Sequence, residues 1–109
     1  MPRGVYIVFT NPASPELEDE YNRFYAEVHI PELLGRPGFH GARRFRLAES
    51  AQQPVGAIAD YSYVTIYDVD IDELAKTREE RAAAVRARSG SPSVIDDSPT
   101  FAVYEEIDS

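Results

Sequence analysis

The order of elements along this 109-residue chain predicts an α+β fold of the ferredoxin-like type, βαββαβ. Two observations carry the prediction. Four runs rich in β-branched and aromatic residues alternate with two stretches of helical periodicity, in the order strand, helix, strand, strand, helix, strand. The second and third strands follow each other as a hairpin, as in the split βαβ arrangement. We therefore expect one domain, residues 1–109, with a four-stranded antiparallel sheet and two helices on one face.

The first strand and helix have clear sequence signals. Residues 4–10, GVYIVFT, are β-branched and aromatic and end at the turn NPASP. Ser14 is a suitable N-cap with Pro15 at the first helical position, and acidic residues follow near the positive end of the helix dipole. Four apolar residues then recur at spacings of four, three and four, and should pack on the sheet: Leu17, Tyr21, Phe24 and Val28.

The predicted hairpin joins residues 39–47 to residues 60–69 through an irregular loop at 49–59. The first of these strands alternates between two sets of side chains, Phe39, Arg43, Phe45 and Leu47 against His40, Arg44 and Arg46. The second strand places tyrosines and a threonine on one face and aliphatic residues on the other, namely Tyr61, Tyr63, Thr65 and Tyr67 against Val64 and Ile66.

The second helix begins at a capping box formed by Asp70 and Glu73 and is predicted to run to about Arg88. Its inward side should carry Ile71, Leu74, Ala75, Ala82 and Val85. A last strand is predicted at 100–107. Two helices cover only one face of a four-stranded sheet, yet the strands carry bulky residues on both faces. A second copy of the sheet is the simplest cover for the other face, which predicts a homodimer.

Composition excludes several classes of function. The net charge of −8 and pI near 4.6 disfavour binding to nucleic acid or anionic lipid. The chain has no cysteine, which excludes disulfides and thiolate chemistry. No run of 18 apolar residues and no signal peptide is visible, so we expect a cytoplasmic protein without a membrane partner. No phosphate-binding loop, nucleophile elbow or zinc motif is present, and no cofactor is expected.

A polar flank beside the apolar stripe of the first helix is the first candidate site. At 100° per residue, four polar side chains fall within a sector of about 80°: Asn22, Tyr25, His29 and Glu32. Pro31 lacks an amide donor and disfavours helical geometry at the residue before it, so the helix should bend, or end and restart, around His29. The bend could turn the imidazole toward a cleft between helix and sheet.

Structural roles compete with these assignments. His29 could be a partly buried histidine bonded to a carbonyl that Pro31 leaves free, and Tyr25 could be a core residue. Arg44 could pair across the hairpin with Asp60 or Asp68, or face a cavity and bind a carboxylate or an enolate oxygen. Tyr63 is assigned to the same pocket, although the tyrosines could also pack a dimer interface. A metal site using His29 and His40 lacks a recognisable ligand spacing and is set aside.

The stretch FYAEVHIPELLGRPGF resembles the EthD-like branch of the dimeric α+β barrel superfamily. That branch has an aromatic residue four positions before a histidine, then a proline and a Pro-Gly turn, and the matching residues here are Tyr25, His29, Pro31, Pro37 and Gly38. The branch usually has tryptophan where Tyr25 stands. The strings NRFYAEVHIPELL and ARRFRL resemble its small actinobacterial-type members, which implies pocket roles for Asn22, Glu32 and Arg44.

The resemblance implies a homodimer with sheets packed face to face and a cavity between helices and sheet. It does not imply one reaction, since the superfamily includes cyclases, monooxygenases, lactone isomerases and haem enzymes. Our first hypothesis is a cofactor-independent enzyme, of cyclase, isomerase or monooxygenase type, acting on a hydrophobic oxygenated molecule such as a phenolic or polyketide-like carbonyl compound. His29 would be the acid or base, with Tyr25, Asn22 or Arg44 stabilising the resulting oxyanion. The alternatives are a non-catalytic dimeric ligand-binding or stress-response protein, and haem binding through His29.

Overall fold

The computed structural model describes residues 3–48, 53–58, 60–76 and 99–107. These ranges contain the four predicted strands, β1 (Arg3–Thr10), β2 (Phe39–Arg46), β3 (Tyr63–Asp70) and β4 (Thr100–Glu105). Between β1 and β2 lies one helical segment made of a 3-10 turn (Pro15–Leu17), α1 (Glu18–Phe24), a π-helical turn (Tyr25–His29) and α2 (Ile30–Leu34). A further helix, α3 (Ile71–Lys76), follows β3. None of the helices in the described ranges is both long and apolar enough to cross a membrane.

The sheet confirms the predicted topology. Its strand order is β2-β3-β1-β4, and each neighbouring pair is antiparallel. The register places Tyr6 opposite Tyr67 and Val8 opposite Thr65. Because side chains alternate along a strand, these four residues share one face of the sheet, which we call the helix face.

The helix face carries the core. Leu33 from α2 and Leu74 from α3 pack in one buried cluster with the strand residues Val8, Phe39, Tyr67 and Val69. A second cluster, next to the first, consists of Tyr21, Tyr25 and Tyr63. Both helical segments therefore lie on the same face of the sheet, as the sequence predicts. The alternate strand residues, including Ile7 and Ile66, lie on the opposite face, which we call the outer face.

The π-helical turn ends at His29, two residues before Pro31. Pro31 has no amide hydrogen, so the carbonyl four residues earlier does not receive the usual helical bond from it. At the residue before the proline, the amide of Ile30 donates to the carbonyl of Tyr25, five residues back, rather than to that of Ala26, four residues back. The backbone stays in the right-handed helical region at His29 and Ile30. The predicted change in the helix at His29 is thus a widened turn that takes up one extra residue.

That extra residue moves the apolar stripe out of its predicted phase. Tyr21 and Tyr25 are buried at the usual spacing of four, but the next inward positions are Ile30 and Leu33. Val28, which a regular helix would turn toward the sheet, is 48% exposed. The prediction that Val28 packs on the sheet is therefore wrong, because a π turn rotates every later residue relative to a regular α-helix.

A β-bulge changes the predicted faces of β2. Phe39 pairs with Val69, while Gly41 pairs with the adjacent Asp68, so His40 is an additional residue in the strand. Phe39 is consequently buried on the helix face, the same face as Arg44. The predicted grouping of Phe39 with Arg43 and Phe45, and of His40 with Arg44, was wrong for this reason. Alternation from Arg43 to Arg46 is as predicted.

Helix α3 begins as predicted. The amide of Glu73 donates to Oδ1 of Asp70 at 3.0 Å, which is the N-cap bond of the capping box. Leu74 is buried, whereas Ala75, predicted to face inward, is exposed. Gly38 packs against the start of this helix with φ of 93°, a left-handed conformation that favours glycine. The predicted continuation to Arg88, with Ala82 and Val85, lies outside the described residues, as do five residues of the predicted loop, 49–52 and 59.

The rotated stripe can be tested by a matched pair of truncations. Leu33→Ala should lower the free energy of unfolding by about 2–4 kcal/mol, since it removes buried methyl groups from the core. Val28→Ala should change it by less than about 0.5 kcal/mol, because the side chain is largely exposed. Urea denaturation of the two variants checks this. Equal losses, or a larger loss for Val28→Ala, would contradict the π-turn phase.

Candidate functional site

The guanidinium of Arg44 lies among three tyrosine rings on the helix face. Its central carbon is 4.7 Å from the ring centroid of Tyr25, 5.2 Å from that of Tyr63 and 5.4 Å from that of Tyr21. Distances of this size are in the range of cation–π attraction, which is strongest when the cation is shielded from water. We call these four residues the tyrosine–arginine cluster. Two parts of the chain build it, since Tyr21 and Tyr25 come from the helical segment and Tyr63 and Arg44 from the hairpin.

Several donors in and next to this cluster are buried and have no partner. In the described part of the chain, Nε and Nη2 of Arg44 have no hydrogen-bond acceptor, and no carboxylate forms an ion pair with the residue. The hydroxyls of Thr65 and Tyr67 are also buried without a partner. Thr65 pairs directly with Arg44 across the hairpin, and Tyr67 lies two residues further along the same face. Buried polar groups are nearly always satisfied, so a concentration of unsatisfied donors marks a place where a ligand would supply acceptors.

Other hydroxyls at the cluster are hydrogen bonded. Thr10 at the end of β1 bonds to the hydroxyl of Tyr21, and it also accepts a long bond of 3.4 Å from that of Tyr25. The Tyr63 hydroxyl donates to Oε2 of Glu18 at 2.5 Å. These bonds hold the three rings around the guanidinium.

The amide of Asn22 joins the site through Tyr63. Its Nδ2 donates to the Tyr63 hydroxyl at 3.2 Å. The Tyr63 ring in turn lies against the Arg44 guanidinium. Asn22 is therefore one side chain away from the unpaired donors, and it fixes a wall of the site.

His29 lies on the other side of Tyr25. Its imidazole stacks on the ring of Phe24 with centroids 5.5 Å apart and meets the ring of Tyr25 edge-on at 5.0 Å. Because Tyr25 also contacts the guanidinium of Arg44, the histidine and the unpaired donors are one ring apart. His29 ends the π turn, and the widened turn sets its direction relative to Tyr25.

Five of the six side chains predicted for the site lie in this region: Asn22, Tyr25, His29, Arg44 and Tyr63. Glu32 does not. It is exposed on α2 and forms an ion pair with Arg36, with 3.5 Å between Oε1 and Nη2. The π turn accounts for this, because the seven-residue spacing that groups Glu32 with Tyr25 holds only for a regular α-helix.

Sequence reasoning missed three residues of the site, namely Tyr21, Thr65 and Tyr67. Each was assigned to a packing face, and each is fully buried on the helix face. The available signal was the alternation of β3, which places Tyr63, Thr65 and Tyr67 side by side. Three hydroxyl-bearing residues that face a helix next to an arginine are more polar than a core requires.

A cavity of about 720 Å³ lies elsewhere, at the end of the sheet where β1 begins. Its lining includes His40, Asp68 and Tyr104 but neither His29 nor Arg44. In the described residues, the space around Arg44 is filled by the tyrosine rings themselves. A ligand that reaches this guanidinium must therefore displace part of that aromatic packing.

Three phenols, those of Tyr21, Tyr25 and Tyr67, are held in the protonated form because their pKa values are raised. Burial raises the pKa of Tyr21 to about 12, although the hydrogen bond to Thr10 and the charge of Arg44 oppose the rise. Burial likewise raises the pKa of Tyr25, with Thr10 and Arg44 again opposing. The pKa of Tyr67 is raised by burial and further by the neighbouring Tyr25 and Tyr6. At neutral pH these side chains are hydrogen-bond donors and not bases.

Fold and site together define a class: small α+β proteins with a four-stranded antiparallel sheet and a polar site enclosed between helix and sheet. Comparison with solved structures shows the same fold in an ethyl tert-butyl ether D (EthD) family protein from Bacillus halodurans C-125. The TM-score is 0.60 at 18% identity, over 98% of this chain and all of that one. A candidate monooxygenase from Shewanella loihica PV-4 gives a TM-score of 0.58 at 14% identity, over all of this chain and 99% of that one.

Sequence-based comparisons add nothing to these likenesses. No family model matches the chain, and no curated protein matches it. At identities of 14% and 18% the structural matches show the fold. The resemblance to the EthD-like branch, which the sequence carries mainly in residues 21–47, is thus confirmed at the level of fold over almost the whole chain.

Alkaline pH should destabilise the protein through Tyr21. Its pKa is near 10 in the unfolded chain and about 12 in the folded one, so the folded state retains a proton that the unfolded state loses. The contribution is complete below pH 10 and is lost as the pH rises toward 12, at about 1.4 kcal/mol per pH unit. Urea denaturation between pH 9 and 11.5 measures the slope. Tyr21→Phe should make it shallower, and an unchanged slope would refute the assignment.

Proposed function

We propose that this protein is a small enzyme that binds a hydrophobic, oxygenated molecule at the tyrosine–arginine cluster, with His29 as acid or base. The observation that carries the proposal is the group of buried donors that have no partner among the described residues, on Arg44, Thr65 and Tyr67, one ring away from His29. An unsatisfied buried donor costs about 1–3 kcal/mol, and more when charged. A bound ligand that supplies oxygen acceptors would remove that cost.

The chemistry that fits this arrangement is proton transfer beside a carbonyl group. Removing a proton from the carbon next to the carbonyl group places negative charge on the carbonyl oxygen. Fixed hydrogen-bond donors in a site that excludes water stabilise that charge. Arg44 supplies a cation, and the phenol of Tyr25, whose raised pKa keeps it protonated, supplies a further donor. Imidazole titrates close to neutral pH, which suits it to take the proton and return it. This substrate class includes phenolic and polyketide-like carbonyl compounds.

A non-catalytic ligand-binding role uses the same site. The unpaired donors would then bind a molecule that is later released chemically unchanged. The two functions differ in one measurable respect, because only the enzyme exchanges a substrate proton through His29. Ligand binding alone does not distinguish them.

We further propose a homodimer formed through the outer face of the sheet. This face carries aliphatic and aromatic side chains on neighbouring strands, including Ile7, Phe9, Phe45, Val64 and Ile66. Phe45 is 44% exposed and Tyr104 on β4 is 61% exposed. The helical segments cover the other face, so a second sheet packed here would bury this apolar surface. The fold shared with the EthD family protein fits such an arrangement.

Proton exchange tests the catalytic role without knowledge of the natural substrate. In D₂O, the protein should accelerate deuterium incorporation at the methyl group of 2-hydroxyacetophenone, followed by NMR. His29→Gln should reduce the acceleration by about 100-fold or more, the usual contribution of a general base. The matched control is His40→Gln, which changes the other histidine at a distant position and should retain the rate. Equal rates for both variants would exclude His29 as the base, and a bound ketone without exchange would favour the non-catalytic role.

The dimer can be tested by placing a carboxylate on the outer face. Val64 lies between Phe9 and Phe45 in neighbouring strands, so Val64→Glu should weaken the dimer about 100-fold by burying a charge at the interface. Val28→Glu introduces the same change at an exposed helical valine and should leave the dimer intact. Sedimentation equilibrium gives the association constants, and circular dichroism checks folding. A monomeric parent protein, or equal effects of both substitutions, would overturn the outer-face dimer.

A further inference from the structure

The two unpartnered nitrogens of Arg44 form one edge of its guanidinium. Nε and Nη2 carry N–H groups that point the same way in the plane of the group, so they make a two-pronged donor. In the described part of the chain these two nitrogens have no acceptor, so the open fork of Arg44 is Nε with Nη2. Its shape matches the two coplanar oxygens of a carboxylate better than a single carbonyl oxygen.

The surroundings of the fork favour an anion as the ligand. Arg44 forms no ion pair in the described part of a chain that has 19 acidic and 11 basic residues. The neighbouring hydroxyls of Thr65 and Tyr67 have no partner either, and each can donate a hydrogen bond. A buried cation beside two free donors has no compensating negative charge until an anion that accepts hydrogen bonds is bound.

We propose that the ligand of this site is a carboxylic acid on a flat, hydrophobic frame, with the carboxylate held side-on by Nε and Nη2 of Arg44. This inference rests on the proposed function and narrows its substrate class from oxygenated molecules to acids. The hydroxyls of Thr65 and Tyr67 donate to the same carboxylate or to an oxygen beside it.

The aromatic walls define the rest of the ligand. The rings of Tyr21, Tyr25 and Tyr63 lie within 5.4 Å of the guanidinium carbon, so whatever approaches the fork passes between or replaces aromatic faces. A planar ring can stack on the displaced tyrosines and recover most of the lost contacts. Benzoate is the simplest probe with this chemistry, and benzamide is a neutral probe of nearly the same shape.

The first experiment compares ligands on the unaltered protein. Isothermal titration calorimetry with benzoate, 2-hydroxybenzoate and benzamide should show the two acids binding at least tenfold more tightly than the amide. Near-ultraviolet circular dichroism should change on adding the acids, because the tyrosine rings move when the fork is occupied. Because the chain has no tryptophan, this signal comes mainly from tyrosine.

The second experiment substitutes Arg44, the residue that carries the fork. Arg44→Lys keeps the charge and loses the two-pronged geometry, so it should weaken benzoate about tenfold and leave benzamide unchanged. Arg44→Met should abolish the preference for the acid. Arg23→Met removes an exposed arginine from the same helical segment as Tyr21 and should have no effect. If Arg44→Met does not fold, the comparison of ligands on the unaltered protein and on Arg44→Lys still decides the question.

The outcomes separate this inference from the function on which it rests. If 2-hydroxyacetophenone binds but benzoate binds no more tightly than benzamide, the acid inference is wrong and the proposed function stands. If none of these compounds binds, both are wrong, and Arg44 is a structural cation held by tyrosine rings alone. Tighter binding of the acids that survives Arg44→Met would also overturn the inference, because another group would then hold the carboxylate.

Discussion

The π turn that ends two residues before Pro31 is the constraint on which the rest of the site depends. In this turn the helix widens, and the amide of Ile30 bonds to the carbonyl of Tyr25. The extra residue brings Ile30 and Leu33 to the sheet and turns Val28 to solvent. His29 ends this turn against the ring of Tyr25. A single backbone change thus sets both the core contacts of the helical segment and the position of its histidine.

On the sheet, the central residue of the site is Arg44. A guanidinium enclosed by tyrosine rings gains cation–π attraction, which is worth up to about 2 kcal/mol when the cation is desolvated. The same enclosure removes water from Nε and Nη2, and cation–π contact does not replace their hydrogen bonds. The cluster therefore combines favourable packing with unsatisfied donors. Native cores avoid that combination, whereas binding sites use it to select ligands by charge and shape.

Much of the fold follows from local signals. Capping residues, strand alternation and turn chemistry predicted every described strand and the start of α3 at Asp70. Helical periodicity grouped Asn22, Tyr25 and His29, and the resemblance to the EthD-like branch added Arg44. The side of the helix or strand on which each side chain lies was predicted less well. The reason is that the π turn at Tyr25–His29 and the bulge at His40 each insert one residue into a regular period. Both irregularities depend on hydrogen bonds that local periodicity does not record.

By itself the sequence determined the order of elements, the antiparallel sheet with helices on one face, and a histidine beside an aromatic residue before a proline. It did so because hydrophobic period, caps and turns are local properties of the chain. Only the tertiary structure decided that Arg44 faces the tyrosines rather than an acidic partner across the hairpin. It also decided that Thr65 and Tyr67 lie beside Arg44 with unused hydroxyls. Whether a buried polar atom has a partner depends on residues distant in the chain, and no local pattern contains that information.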